Sequence, residues 1–293
     1  MLRGVLAGLL AGALWGLVFV APRMVAGLPP VDFAAGRFLA YGLVALVVVG
    51  FNRRPLPTAR QALAAAGLSV LGFTGYYLLL VLAIRDAGTE VPALVIGTIP
   101  IWVMLLGKPG HLRWRALVPA LVLTAAGLAL MMALPADAGA RPHFWRGILM
   151  ATASLAAWTA FALLNSAWLK RHPGVNATDW ANWLGLATGA GALLMWAVAG
   201  SGVAALRAHP QAGFFLALCL ATGFGSAWLA TILWNVASQR LPASLSGQLI
   251  VSETLFALAY SFAWDGAWPS AAQWAAVAMF TLGIVASIRA HRE

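Results

Sequence analysis

The sequence predicts an all-α integral membrane protein, with ten transmembrane helices forming two inverted five-helix repeats. Three observations lead there. First, 62% of the 293 residues are hydrophobic and 9% charged, with mean hydropathy +0.87, whereas soluble domains hold about 25% charged residues. Second, the apolar residues fall in runs of about 20, the helix length that crosses a hydrocarbon core about 30 Å thick. Third, the second half of the chain echoes the first. The composition excludes a water-soluble globule and a disordered chain alike.

In order, the expected spans are 4–21, 32–51, 61–84, 91–107, 115–134, 146–169, 178–200, 211–237, 241–264 and 268–288. The first follows Arg3, as a secretory signal would, but its run is long and nine more follow. The second carries Asp32 and Arg37 in its outer turns, where a short side chain meets water and a long one snorkels. The fourth holds Pro100 near its middle, where proline removes a hydrogen bond and kinks the helix. That residue reads either as a hinge or cavity wall, or as a static kink. The connections are short and leave nothing for a soluble domain.

The net charge of +10 has a membrane reading, because cytoplasmic loops collect Lys and Arg. With the N-terminus inside, twelve basic residues face the cytoplasm: Arg3, Arg53, Arg54, Arg60, Lys108, Arg113, Arg115, Lys170, Arg171, Arg240, Arg289 and Arg292. Five face outward: Arg23, Arg85, Arg141, Arg146 and Arg207. This bias predicts an even number of spans and cytoplasmic termini. Trp114, Trp145, Trp180, Trp264 and Trp268 stand at span ends, where an amphipathic ring suits the interface. Trp15, Trp102, Trp158 and Trp228 stand near mid-span and need another account.

The repeat is read from three matches in the same order. Trp15 in the first span corresponds to Trp158 in the sixth. Gly72-Phe73 and Tyr77 in the third correspond to Gly223-Phe224 and Trp228 in the eighth. Glu90-Val91-Pro92-Ala93 opens the fourth as Arg240-Leu241-Pro242-Ala243 opens the ninth, each with proline in the first turn, where its missing N–H costs nothing. The halves divide as 1–143 and 144–293. Five spans is an odd number, so the second half enters the membrane upside down. Inverted repeats are characteristic of transporters, with the solute site at their interface near mid-membrane.

The segments WGLVFVAP in the first span, DFAAGRFLAYGLVAL in the second and VPALVIGTIPIW in the fourth resemble the drug/metabolite transporter superfamily, in its ten-helix EamA branch. So does the closing stretch from VSETLFALAY to the helix bearing Gly283. Tyr76, Trp158 and Trp234-Asn235 resemble the pattern of its aromatic amino acid exporters. Two positions depart from the family pattern: Glu253 is followed by Thr254 rather than proline, and Asp265 stands near the place of a usual glutamate. The resemblance implies export of amino acids and similar metabolites across the bacterial inner membrane. It also implies a basket of helices around a cavity lined by spans one, three, four, six, eight and nine.

Glu253 is the expected centre of the chemistry, as the ionisable residue at the middle of a span. Such a group is costly in lipid and is usually functional. It reads as a proton carrier, as a contact for a substrate ammonium, or as a protonated acid bonded between helices, with Gln248, Ser252 and Thr254 in reach. Trp15, Tyr76, Tyr77, Trp102, Trp158 and Trp228 read as a cavity lining that stacks on apolar or aromatic solutes; packing is the alternative for any one of them. Asn165 and Asn235 read as bonding free helix ends or lining an inner gate. Gly8, Gly12 and Gly16, and again Gly185 and Gly189, give faces for close helix approach, within the chain or between copies.

The lone Cys219 excludes an intrachain disulfide and a cysteine metal cluster. His111, His143, His172, His209 and His291 fall in loops or the tail, and no HExxH, GxxxxGK[ST] or GxGxxG occurs. No metal, cofactor or nucleotide site is therefore expected, and no nucleic-acid partner. The expected protein is a monomer in lipid that moves small molecules by alternating access, through facilitated diffusion or an ion gradient. The competing readings are a broad-specificity drug or metabolite exporter and an intramembrane transferase. The latter would need clustered ionisable groups at one depth.

Overall fold

The computed structural model describes residues 1–25, 27–51, 55–88, 90–110, 112–132, 143–266 and 268–292. Arg53, Arg54, His111 and Arg141, and most of the connection between the two halves, lie outside them. The described residues are helical, without strands.

α1 (Leu2–Gly16) runs on through short 3-10 turns at Leu17–Phe19 and Ala21–Met24. α2 (Pro30–Phe51) follows. α3 (Ala59–Ser69) opens on a capping box between Thr58 and Gln61, then passes through a π-helical turn, Val70–Thr74, into α4 (Gly75–Ala87). α5 (Glu90–Gly97) and α6 (Ile99–Leu106) are two pieces where one kinked span was expected. The break falls at Thr98, so Pro100 lies in the first turn of α6, where its missing N–H costs nothing. The residue before proline disfavours helical backbone, and the Thr98 hydroxyl donates to the Val95 carbonyl at 2.7 Å as the ladder stops. α7 (Trp114–Met132) and the long α8 (Phe144–Arg171) complete the middle of the chain.

α9 (Ala177–Ala199) is capped by Asn176, which accepts from the Thr178 N–H at 2.7 Å. A short helix, α10 (Val203–Ala208), occupies what was expected to be plain loop. α11 (Ala212–Thr222) passes through a second π-helical stretch, Gly223–Leu229, into α12 (Ala230–Arg240). α13 (Ala243–Asp265) stops at Gly266, whose φ of +61° suits glycine. α14 (Ala271–Ala290) opens on a capping box between Ser270 and Gln273. The two π segments fall on the matched pairs Gly72-Phe73 and Gly223-Phe224.

By length and composition, eight helical stretches among the described residues could cross a membrane. The two expected spans outside that set are the broken pair α5–α6 and α13, whose Ser244, Ser246, Gln248, Ser252 and Glu253 lower its hydropathy. These two pack on each other: Gly247 meets Val103 and Met104, and the Ser244 N–H donates to the Gly107 carbonyl at 3.2 Å.

Glycine contacts fix the helix directions. Gly4, Gly8, Gly12 and Gly16 of α1 meet Leu241, Leu249, Ser252 and Ala257 in turn, so α1 and α13 run side by side in the same direction. The glycine face of α1 therefore packs within the chain. α2 and α9 run antiparallel, with Gly42 on Gly189, and Gly185 on Tyr41 and Ala45. α7 and α14 meet through Gly127 on Phe280 and Gly283 on Thr124, and α4 and α8 through Gly147 on Ala83 and Ala87. The bundle thus has one end bearing Arg23, Pro30, Ala87 and Asp265, and an opposite end bearing Gly107, Arg240, Ser244 and His291. Its largest buried cluster joins Tyr41, Phe73, Phe161, Trp180 and Trp234.

Gly42→Val would drive a methyl-bearing carbon to 2.7 Å from the Gly189 backbone. The expected result is a loss of about 1–3 kcal/mol, read as a lower unfolding midpoint in detergent. Gly50→Ala meets nothing within 4 Å and is expected to stay within about 0.5 kcal/mol of the parent.

Candidate functional site

Five helices and the π turn of span three build an aromatic cluster that includes Trp15, Trp158 and Tyr77. Trp15 of α1 lies edge-on to Trp158 of α8, with centroids 6.2 Å apart, and 5.3 Å from Trp234 of α12. Trp158 and Trp234 are 6.1 Å apart, which closes the triangle. The Trp234 indole N–H is buried and has no partner among the described residues. From Trp158 the contacts continue through Phe161, Phe73 and Phe38 to Tyr77 of α4, each step between 5.5 and 6.1 Å. The result is an aromatic wall running from α1 to α4. The π turn in span three helps to build it, because Gly72 lies against the Phe161 ring.

Tyr76 is beside this wall, and its carbonyl accepts from the Ser154 hydroxyl at 2.9 Å. The Tyr77 hydroxyl reaches the Pro30 carbonyl at 3.5 Å. Trp228 packs on the edge of the same cluster and donates its N–H to Asn182 at 2.7 Å. Trp102 does not join them: it is 46% exposed on the outside of α6. Ser252 is buried in the seam with α1 against Gly12, and its hydroxyl donates to the Leu249 carbonyl of its own helix at 2.7 Å. It is a packing contact in this structure and not part of the aromatic site.

Glu253, the next residue on α13, is half-buried and shares its electrostatic surroundings with Tyr76 of α4 and Arg37 of α2. This corrects the expectation for the second span. Arg37 is 8% exposed and Asp32 is 1% exposed, so both are enclosed by protein rather than open to water. Asp32 is drawn inward by work on α9, where its Oδ1 accepts the Trp196 indole N–H at 2.9 Å and the Ser201 N–H at 3.0 Å. Arg37 points its guanidinium over the Phe38 ring, 4.7 Å from the centroid, which holds it at the wall. The sequence carried one signal for it: a charge seven residues inside an apolar run.

Asn165 and Asn235 belong to a buried ladder. The Trp180 indole N–H donates to Asn165 at 2.7 Å, the Asn165 amide donates to Asn235 at 3.1 Å, and the Asn235 amide donates to the Ala177 carbonyl at 3.3 Å. It ties α8, α9 and α12 together. Trp180, expected at the interface, is fully buried and stacked on Trp168 with centroids 3.6 Å apart; its N–H finds Asn165 there instead of headgroup water.

Residues 2–133 match the family described as the EamA-like transporter family. The chain is 33% identical over 311 aligned positions to the "Inner membrane protein YtfF" of Escherichia coli (strain K12), covering 100% of this chain and 97% of that protein. A solved structure, titled only "Crystal structure of protein", has 21% identity and a TM-score of 0.79 over 97% of this chain and 98% of its own. At that identity it speaks for the fold alone.

The ladder is open to test. Asn165→Ala leaves the buried Trp180 N–H and the Asn235 carbonyl oxygen unpaired. A loss of about 1–3 kcal/mol for each orphaned group is expected, measured as the shift in denaturation midpoint followed by tryptophan fluorescence.

Proposed function

The chain belongs to the EamA-like transporter family, and from that premise we propose that it is a secondary transporter exporting amino acids, aromatic and other neutral ones, across the bacterial inner membrane. The observation that carries this reading is the aromatic wall from Trp15 to Tyr77 with Glu253 and Arg37 beside it: apolar surface for a side chain, next to charge for a polar head. The printed name of the Escherichia coli relative supports the inner-membrane location. The basic residues support cytoplasmic termini.

Transport proceeds by alternating access between two inverted halves, 1–143 and 144–293, of five spans each. The described contacts support this. The matched π segments are one support; the reciprocal pairing of α2 with α9 and of α7 with α14 is another. Exchanging the halves turns the pairing of α1 with α12 into that of α8 with α4, which also occurs. The exchange fails at one place. α8 packs on α12, but α1 has no packing of similar extent on α3 or α4 among the described residues. The bundle is therefore closed at the Ser244 end and looser at the Arg23 end, an outward-facing arrangement in this reading. Asn165 and Asn235 then belong to the closed inner side. Thr98 and Pro100 form the hinge of span four, and the protein acts as a monomer that needs no cofactor. Solute enters from the cytoplasm, and the halves rock around it.

A second reading, a broad-specificity drug or metabolite exporter, draws on an apolar groove of about 440 Å³ lined by Leu17, Met24, Thr222, Ser226, Tyr260 and Trp264. Counterflow separates the two. Proteoliposomes preloaded with unlabelled solute and offered labelled phenylalanine, tryptophan, methionine, threonine or lysine are expected to accumulate the large neutral members. No accumulation by folded protein, with uptake of an apolar cation, would give the second reading.

Trp158→Ala is expected to weaken phenylalanine and tryptophan uptake more than threonine uptake; equal loss for all would make Trp158 a packing residue. Glu253, faced by Arg37 and Tyr76, is the proposed proton carrier. Glu253→Gln is expected to remove the pH dependence of net transport while solute exchange continues at weakened affinity, and pH dependence that survives the change would exclude coupling through this residue.

A further inference from the structure

Arg37 is a buried cation without a counter-ion. It lies seven residues inside α2, about 10 Å below the end of the helix at 1.5 Å per residue. Its guanidinium makes no hydrogen bond or ion pair among the described residues, and its Nε is buried and unpartnered. Asp32, the acid nearest along the same helix, makes no ion pair with it: its Oδ1 is held by Trp196 of α9 and by the Ser201 N–H just beyond that helix, and its Oδ2 is buried without a partner among the described residues. Glu253 lies within electrostatic range, yet no ion pair forms between them. A buried charge left unpaired costs several kcal/mol, and guanidinium is the side-chain group whose fork fits a carboxylate with two parallel hydrogen bonds.

We propose that Arg37 binds the carboxylate of the transported solute, so that the site selects zwitterions: carboxylate on Arg37, ammonium toward Glu253, side chain along the aromatic wall. This rests on the amino acid reading above and sharpens it. The guanidinium carbon lies over the Phe38 ring, 4.7 Å from its centroid. The Tyr76 and Tyr77 hydroxyls, which share its surroundings, border the space in which the solute backbone lies. Glu253 is twelve residues from the same end of the bundle on α13, about 18 Å deep by helix rise. The two charges are therefore staggered in depth by about 8 Å, and a bound amino acid stands on end between them with its carboxylate toward the Arg23 end.

The test compares phenylalanine with phenylalanine amide, which keeps the ammonium and ring but has no carboxylate. Labelled forms of each are offered to preloaded proteoliposomes, with protein-free vesicles as background. In the parent, phenylalanine is expected to be carried in preference to the amide. In Arg37→Gln the ratio of phenylalanine to amide uptake is expected to fall about tenfold or more, the size expected for loss of a charge-assisted pair; an unchanged ratio overturns the assignment. If Arg37→Gln does not fold, the parent protein supplies the answer. Phenylalanine-induced changes in tryptophan fluorescence in detergent must be competed more strongly by 3-phenylpropionate, which keeps ring and carboxylate without the ammonium, than by phenethylamine, which keeps ring and ammonium without the carboxylate; equal or weaker competition overturns the proposal. A parent that carries neither probe but takes up an apolar cation overturns the amino acid reading itself. A parent that carries phenylalanine, with the ratio unmoved in the variant, overturns the role of Arg37 and leaves that reading standing.

Discussion

Lipid tails are as apolar as the helices they surround, so helices in a bilayer gain nothing by hiding leucine from them. Association depends on how closely backbones approach. Among the described residues, five closely packed helix pairs meet over glycine. α1 lies on α13 through a glycine at each turn, α2 and α9 touch through Gly42 and Gly189, and the pairs α4–α8, α6–α13 and α7–α14 each have their own glycine at the contact. The aromatic wall stands among these seams, and Gly72 lies directly against its Phe161 ring. Trp15, Trp158 and Trp234 project from three different helices and converge between them.

The buried polar groups fall into two sets with different fates. One set is engaged in bonds between elements: Asp32 holds the end of α9 through its Oδ1, and the Trp180–Asn165–Asn235 ladder binds α8, α9 and α12. These bonds satisfy groups that would otherwise be costly in a dry interior, and they stiffen the helices that carry them. The other set has spare capacity: Arg37, Glu253 and the Trp234 indole N–H share the neighbourhood of the wall without satisfying one another. Capacity of that kind, in a site bordered by aromatic faces, is what a polar-headed solute with an apolar tail needs.

Much of this was legible in the sequence, and the gaps have a common cause. Run length gave the spans to within a few residues, and Gly72-Phe73 with Gly223-Phe224 marked the places where both helices take a π turn. Depth along each helix was readable; rotation about its axis was not. Helices written in Leu, Ala, Val and Gly on all sides have no polar face to orient them. Trp102 and Trp158 therefore looked equivalent, though one faces outward and the other inward. Ser252 and Glu253 are neighbours in sequence, but about 100° of helical turn separates a seam residue from a site residue. Arg37 looked like a snorkelling side chain because its depth allowed that, and only its buried surroundings exclude it. The break at Thr98 was displaced from the expected kink because proline disturbs the turn before it.

The polarity of α13 also bears on biogenesis. A segment carrying Ser244, Ser246, Gln248, Ser252, Glu253 and Thr254 in its first half partitions poorly from the translocon into lipid as an isolated helix, since each polar or charged residue near the centre of a span adds to the cost of insertion. Its stability in the membrane comes from neighbours already made and from the one about to be made: the glycine stripe of α1, the inner face of α6, and α14 across a short turn. Insertion of α13 is therefore a cooperative step, in which the reluctant α13 and the more apolar α14 enter as a hairpin against a waiting α1. The residues that equip the site for solute make the C-terminal hairpin the part of the chain most dependent on the rest for its place in the bilayer.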